Sequence, residues 1–344
     1  MNIHLATPIP NFFPSFQIFN KLTIISSGII NPNHFRFKFN VVKNKATGDE
    51  RPSGKLSVKE NSSCYHNNND DDLFSGKLVQ GKHVFQQNFS IRSYEVGPDS
   101  KITIGALTNL LQESAVNHLI RGGVMVEGLG WTPAMCLKNL IWVVYNIHIL
   151  IDTYPSWSDV VEVETWTCAS GRNGMRRDWL GRDYNTRKTL FTAVSVYVMM
   201  NKKTRKLSKF IEETRQETKP LFMDYCDPII NDATKLRDLD FDTAHYVIKD
   251  LSPKWTDLDV NQHVNHVKYI NWILQSAPES ILETQKLCSL KLEFRKECGK
   301  NSLLHSLSAI SKKSDQGFEL EHTLRLQNGL TILRGRTVWI PRNY

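Results

Sequence analysis

The chain has 344 residues, of which 40% are hydrophobic and 23% charged, with a formal net charge of +8. That length predicts two domains, each able to bury its own core, and the composition excludes disordered and fibrous classes. No apolar run approaches the ~18 residues of a membrane span; the longest, Leu140 to Ile151, is interrupted by Asn146 and His148.

Residues 1–48 contain no Asp or Glu but carry Lys21, Arg36, Lys38, Lys43 and Lys45 among scattered Ser and Thr. An acidic-poor, basic, hydroxyl-bearing leader of this kind predicts an organelle transit peptide. Residues 49–83, with NNNDDD at 67–72, read as a disordered linker. From Ala106 through Leu107, Leu110, Leu111, Ser114, Ala115 and His118 the spacing is helical. Strand patterns follow over Leu140–Ile151, Asp159–Cys168, Met175–Tyr184 and Leu190–Met200, where Val161, Val163, Thr165 and Thr167 alternate with Glu162, Glu164 and Trp166. After a linker over 223–244, a second helix is predicted for Asn265–Gln275. Strands then run over Ser289–Glu297, Leu303–Ile310, Phe318–Gln327 and Leu330–Ile340.

Each half therefore reads as a short strand, one long helix and four antiparallel strands. A lone helix buries its apolar stripe most economically inside a curved antiparallel sheet. The fold class predicted is α+β, a tandem double hotdog, with one half over 84–222, the other over 245–344, and the two sheets joined side by side.

The chemistry concentrates in WTDLDVNQHVNHVKYINWIL, where Asp259, Asn261 and His263 alternate just before the second helix. An extended segment would point all three the same way; a turn into the helix would bring backbone N–H groups close by. Either arrangement suits acyl transfer, which needs a proton shuttle, an orienting partner and oxyanion donors. The plain alternatives are a structural histidine and N-cap residues. A second candidate is Glu297-Cys298. Strand phase puts Cys298 with Leu290, Leu292 and Phe294, and Glu297 on the opposite face unless the strand bulges near Gly299. A Cys298 thiolate activated by His263 and a Glu297-assisted water both remain open.

Between Gly171 and Lys209 stand eleven Lys or Arg against two Asp, either a solvated face or a docking surface for an acidic partner. No zinc-finger, RNP or helix-turn-helix pattern points to nucleic acid, and no nucleotide fingerprint or metal-ligand triad is present, so no cofactor is expected. The six cysteines, Cys64, Cys136, Cys168, Cys226, Cys288 and Cys298, form no CxxC pair. That speaks against a zinc site and a secreted disulfide framework, and for a reducing compartment.

WTDLDVNQHVNHVKYINWILQSAPESIL closely resembles the signature of plant plastidial acyl-acyl-carrier-protein thioesterases. So do FSIRSYEVG, LLQESAVNH, NLIWVVYNIHILIDTYPSWSDVVEVETW, ASGRNGMRRDWL and FRKECGKNSLL, and the likeness covers Phe89 to Arg342. ASGRNGMRRDWL and NLIWVV look more like the FatB class, which prefers saturated chains. The resemblance implies hydrolysis of fatty acyl-ACP in the plastid stroma. It carries the family's Asn and His onto Asn261 and His263, its cysteine onto Cys298, and further carboxylates onto Asp259 and Glu297. It also implies an acyl tunnel along the first helix, with Leu107, Leu110, Leu111 and Ala115 as lining candidates. Acyl carrier protein, being acidic, would dock on Arg176, Arg177 and Arg182. Assembly as a homodimer is the other partnership considered. The chain departs from the family pattern at His266 and Asn271, and LVQGKHVFQQN stands where an apolar segment is usual, which gives membrane association no support. Competing readings are a non-catalytic acyl-ACP-binding protein and a hotdog acyl-CoA thioesterase or dehydratase.

Overall fold

The structure, a computed structural model, describes residues 75–126 and 130–342; the leader over 1–48, the linker up to residue 74 and Cys64 lie outside these residues. The first half opens with β1 (Lys77–Val79) and β2 (Val84–Ser90), then α1 (Ile104–Arg121) and a short α2 (Pro133–Lys138). There follow β3 (Leu140–Ile151), β4 (Val160–Ser170), β5 (Gly174–Asp183), β6 (Thr189–Asn201), β7 (Leu207–Ser208) and α3 (Glu212–Thr218). The second half contains β8 (Tyr246–Leu251), α4 (His266–Gln275), α5 (Glu279–Thr284), β9 (Gln285–Phe294), β10 (Leu304–Ser314), β11 (Gly317–Leu326) and β12 (Thr331–Pro341).

Among the described residues the strands form one twelve-stranded sheet, ordered β1-β2-β4-β5-β6-β3-β9-β12-β11-β10-β8, with β7 on β6. The halves join where β3 pairs antiparallel with β9, Ile147 opposite Leu292 and Ile149 opposite Leu290. These four side chains are buried, and each contributes about 1.5–3 kcal/mol by leaving water, so the joint is part of the core. The two helices are buried against the sheet through Leu107 and Leu111 of α1 and Ile270 and Ile273 of α4, all in one hydrophobic cluster. Trp179 Nε1 on β5 fixes α1 by donating to the Leu111 carbonyl and Ser114 Oγ, both at 3.1 Å.

The halves also repeat a turn. Isolated bridges join Val96 to Ile102 and Leu258 to Val264. Gly97 N–H donates to the Lys101 carbonyl at 2.8 Å, as Asp259 N–H donates to that of His263 at 2.7 Å. Ser100 and Gln262 are both left-handed, with φ of 57° and 62°. Each turn ends in a side-chain cap: Thr103 accepts from Ala106 N–H at 3.2 Å and Asn265 from Val267 N–H at 2.9 Å. Gly97, Asp99 and Lys101 thus occupy in the first half the places of Asp259, Asn261 and His263 in the second.

Three features depart from the sequence reading. Strand β1 forms inside the expected linker, because Lys77–Val79 pairs with β2. Strand β9 stops at Phe294 instead of running to Glu297, because the N–H groups of Arg295 and Lys296 both turn onto the Ile332 carbonyl, at 2.8 and 3.2 Å. Cys168 and Cys226, 58 residues apart, form a disulfide. Spacing could not show this, since it depends on residues after α3 crossing back to bridge Phe222 with Thr167 on β4.

Candidate active site

The segment before α4 is a turn, not an extended strand. Asp259 organises it: its Oδ1 accepts the N–H of Asn261 at 2.8 Å and of His263 at 3.2 Å. The left-handed Gln262 between them costs about 1 kcal/mol or more, and Asn261, His263 and Asp259 all line one cavity. Asn261 Oδ1 is buried without a hydrogen-bond partner, an acceptor available to a bound water or substrate. Burial lowers the pKa of His263, with the Arg205 charge acting in the same direction and Glu297 and Asp259 opposing it. The net effect favours the neutral imidazole, the form able to accept a proton.

Glu297 completes the group from the chain beyond β9. Its Oε2 lies 3.3 Å from His263 Nδ1. Arg205, on the hairpin between β6 and β7, holds the same carboxylate with both arms: Nε donates to Oε1 at 2.6 Å, and a terminal nitrogen donates to Oε2. Cys298 points away. It is 4% exposed, its Sγ lies 3.3 Å from the Tyr269 hydroxyl, and it is not among the residues lining the cavity. Burial, and then the Glu297 charge, push its thiol pKa up against the Tyr269 hydrogen bond; a thiolate is disfavoured there.

The cavity measures about 540 Å³ and runs from the Asn261–His263–Glu297 group to the first half, walled by Ile141, Val143, Met175, Val198 and Met200. Helix α1 contributes Gln112, Ala115, Val116 and Leu119, so of the four expected residues Ala115 lines the cavity. Leu107, Leu110 and Leu111 are instead packed in the main hydrophobic cluster. That corrects the expected lining: the most apolar stripe of the helix goes to the core, and the less apolar stripe beside it meets the cavity.

The basic docking candidates are also redistributed. Arg177 is 1% exposed and holds His118 Nδ1 and Thr165 Oγ1, both at 3.1 Å, so it cannot meet a protein partner. Arg176 is tied to Asp178 at 3.1 Å and to the Cys226 carbonyl at 2.7 Å; Arg182 is tied to Glu164 at 2.8 Å. Exposed charge in this stretch resides instead on Arg172, Arg187, Lys188, Lys202, Lys203, Lys206 and Lys209. Arg176 and Arg182 lie on the less buried face of β5 and neutralise the carboxylates of Asp178 and Glu164, whereas Arg177 is on the buried face, which a count of charges does not show. Sequence reasoning also missed Arg205 and Tyr269 as site neighbours, because the contacts that involve them span 92 and 29 residues. Among the described residues, no group of three His, Cys, Asp or Glu is arranged to hold a metal ion.

Two family models match the chain: the acyl-ACP thioesterase N-terminal domain over residues 82–218 and the C-terminal domain over 241–341. The palmitoyl-acyl carrier protein thioesterase of Gossypium hirsutum is 54% identical over 280 residues, 79% of this chain and 68% of that protein. The corresponding protein of Arabidopsis thaliana is 54% identical over 277 residues, 78% and 67% of the two chains. The solved 12:0-ACP thioesterase of Umbellularia californica superposes with a TM-score of 0.72 at 44% identity, covering 75% of this chain and 94% of that one. An acyl-ACP thioesterase of Bacteroides thetaiotaomicron, 19% identical with a TM-score of 0.62, shares the fold. The chain belongs to the acyl-ACP thioesterase family.

Proposed function

We propose that the protein hydrolyses the thioester of long-chain saturated acyl-ACP, of which palmitoyl-ACP is the leading substrate, and releases the free fatty acid in the chloroplast. Relatives 54% identical to it are named palmitoyl-acyl carrier protein thioesterases, chloroplastic. The observation that carries the chemistry is the convergence of Asn261, His263 and Glu297 at one end of a mostly apolar cavity of about 540 Å³. In this reading the half over 84–222 selects the acyl chain, the half over 245–344 performs hydrolysis, and residues 1–48 direct import. The acidic carrier protein docks on the exposed lysines around the β6–β7 hairpin.

Asn261 Oδ1 and His263 hold a water. Both Glu297 oxygens are engaged by Arg205, so the imidazole takes the water's proton while Glu297 orients it and stabilises the imidazolium. The water oxygen attacks the carbonyl carbon; the oxyanion forms near the positive end of α4. Collapse breaks the C–S bond, and the imidazolium returns the proton to the leaving thiolate. The products are the fatty acid and the carrier's free thiol.

The test is turnover of acyl-ACPs of graded length, with acyl-CoA as comparison. His263→Ala and Glu297→Gln are expected to lose hydrolysis by on the order of 1,000-fold or more, while Cys298→Ala stays within a few-fold of the parent. A dead Cys298→Ala that is folded, beside an active Glu297→Gln, would replace this mechanism with thiol catalysis.

A further inference from the structure

We propose that Arg205 is a positioning residue of the active site: its bidentate grip sets the Glu297 carboxylate against His263, so that the first half supplies an essential part of the second half's chemistry. The proposal rests on the Glu297–His263 mechanism above.

Three observations support it. First, the pair is bidentate, with Nε to Oε1 at 2.6 Å and a second bond to Oε2, the geometry that fixes a carboxylate's plane as well as its place. Secondly, the pair is built into the site. Both side chains are about three-quarters covered, at 23% and 26% exposure, and both line the cavity with His263. An exposed ion pair is worth little, but a half-buried one at a fixed geometry restricts its partners. Thirdly, Arg205 has φ of 56°, a left-handed conformation in which glycine would avoid the strain. The hairpin sustains that conformation: Arg205 N–H donates to the Asn201 carbonyl at 2.8 Å, and Asn201 Oδ1 accepts the N–H groups of Lys203 and Thr204 at 3.0 and 2.9 Å. A hairpin that keeps arginine at this position spends backbone strain to aim the guanidinium.

The charges acting on His263 are Arg205, Glu297 and Asp259, and Arg205 is the one that opposes protonation. Its removal therefore makes the imidazole easier to protonate, and the acid limb of the pH profile moves to higher pH. The same hairpin carries the exposed Lys202, Lys203 and Lys206, so a carrier protein seated there would touch the element that holds the base's partner.

The experiment is a double-mutant cycle on the mature enzyme with palmitoyl-ACP, using Arg205→Ala, Arg205→Lys, Glu297→Gln and Arg205→Ala/Glu297→Gln. Circular dichroism and thermal melting confirm folding of each. Arg205→Ala is expected to lose on the order of 100-fold in kcat with little change in KM. Its acid limb is expected to shift upward, Arg205→Lys to recover part of the rate, and added guanidinium ion to restore part of it in the alanine variant. In the Glu297→Gln background the arginine substitution should cost little more. A folded Arg205→Ala with the parent's kcat and pH profile overturns the proposal, as does a loss that is undiminished in the Glu297→Gln background or is confined to KM. If Glu297→Gln itself keeps the parent's activity, the underlying mechanism has failed, and that result is distinguishable from failure of the arginine's role alone.

Discussion

Asn261 and His263 flank a residue whose left-handed backbone, φ of 62° at Gln262, turns the chain sharply between them. Asp259 pins that turn through two backbone N–H groups, so its carboxylate shapes the segment that presents Asn261 and His263 to the cavity. Asn261 presents a buried acceptor with no partner. Its replacement by alanine is expected to reduce kcat on the order of 100-fold with KM nearly unchanged, because the attacking water loses a holding group and the acyl chain does not; steady-state kinetics on acyl-ACP check this. That these three residues stand together was legible from their spacing before an apolar helical run. Glu297 and Cys298 were both candidates for their partner, and the sequence left the choice between them open. Glu297 and Cys298 are adjacent, and only the path of the chain beyond Phe294 sends one to the cavity and the other toward Tyr269.

At the scale of elements, the two turns that precede α1 and α4 have the same hydrogen bonds and the same left-handed position, yet differ in every side chain that matters to chemistry. Where His263 approaches Glu297, Lys101 Nζ donates to Ser156 Oγ at 2.7 Å, and Asp99 is held by Arg342 at 2.6 Å. Lys101→Ala is expected to leave turnover within about twofold of the parent, in contrast to His263→Ala; the comparison needs only the same acyl-ACP assay. The two long helices, α1 and α4, and the eight long strands were legible because their periods of 3.6 and 2 are local properties, whereas the short α2, α3 and α5 were not read from the sequence. The repeat was visible as an order of elements, but its residue-by-residue correspondence was not, since what it conserves is backbone geometry. The same limit hid the lining of α1: periodicity marks the stripe that seeks the core, and the cavity uses the stripe next to it.

For the whole molecule, one sheet joined at β3 and β9 puts several titratable groups out of reach of water. His118 and His322 are fully buried, and burial lowers both imidazole pKa values to about 3, with Arg177 adding to the effect at His118. Their folded pKa values lie below the unfolded value of about 6.5. The stability that follows is complete above pH 6.5 and is lost as the pH falls from there toward 3. Between pH 7 and pH 5 the two together are expected to cost on the order of 4 kcal/mol, read as a fall in the denaturant midpoint; an unchanged midpoint would contradict neutral burial of these groups. That the halves share a sheet followed from matching patterns, whereas the Cys168–Cys226 closure and the Arg205–Glu297 contact required the folded path. The paired but unlike turns have one further consequence. In a symmetric dimer every substitution appears twice, so a change that reshapes the wall also alters a reactive centre. A single chain is released from that constraint: its first turn can change its side chains while the second keeps Asp259, Asn261 and His263 in place.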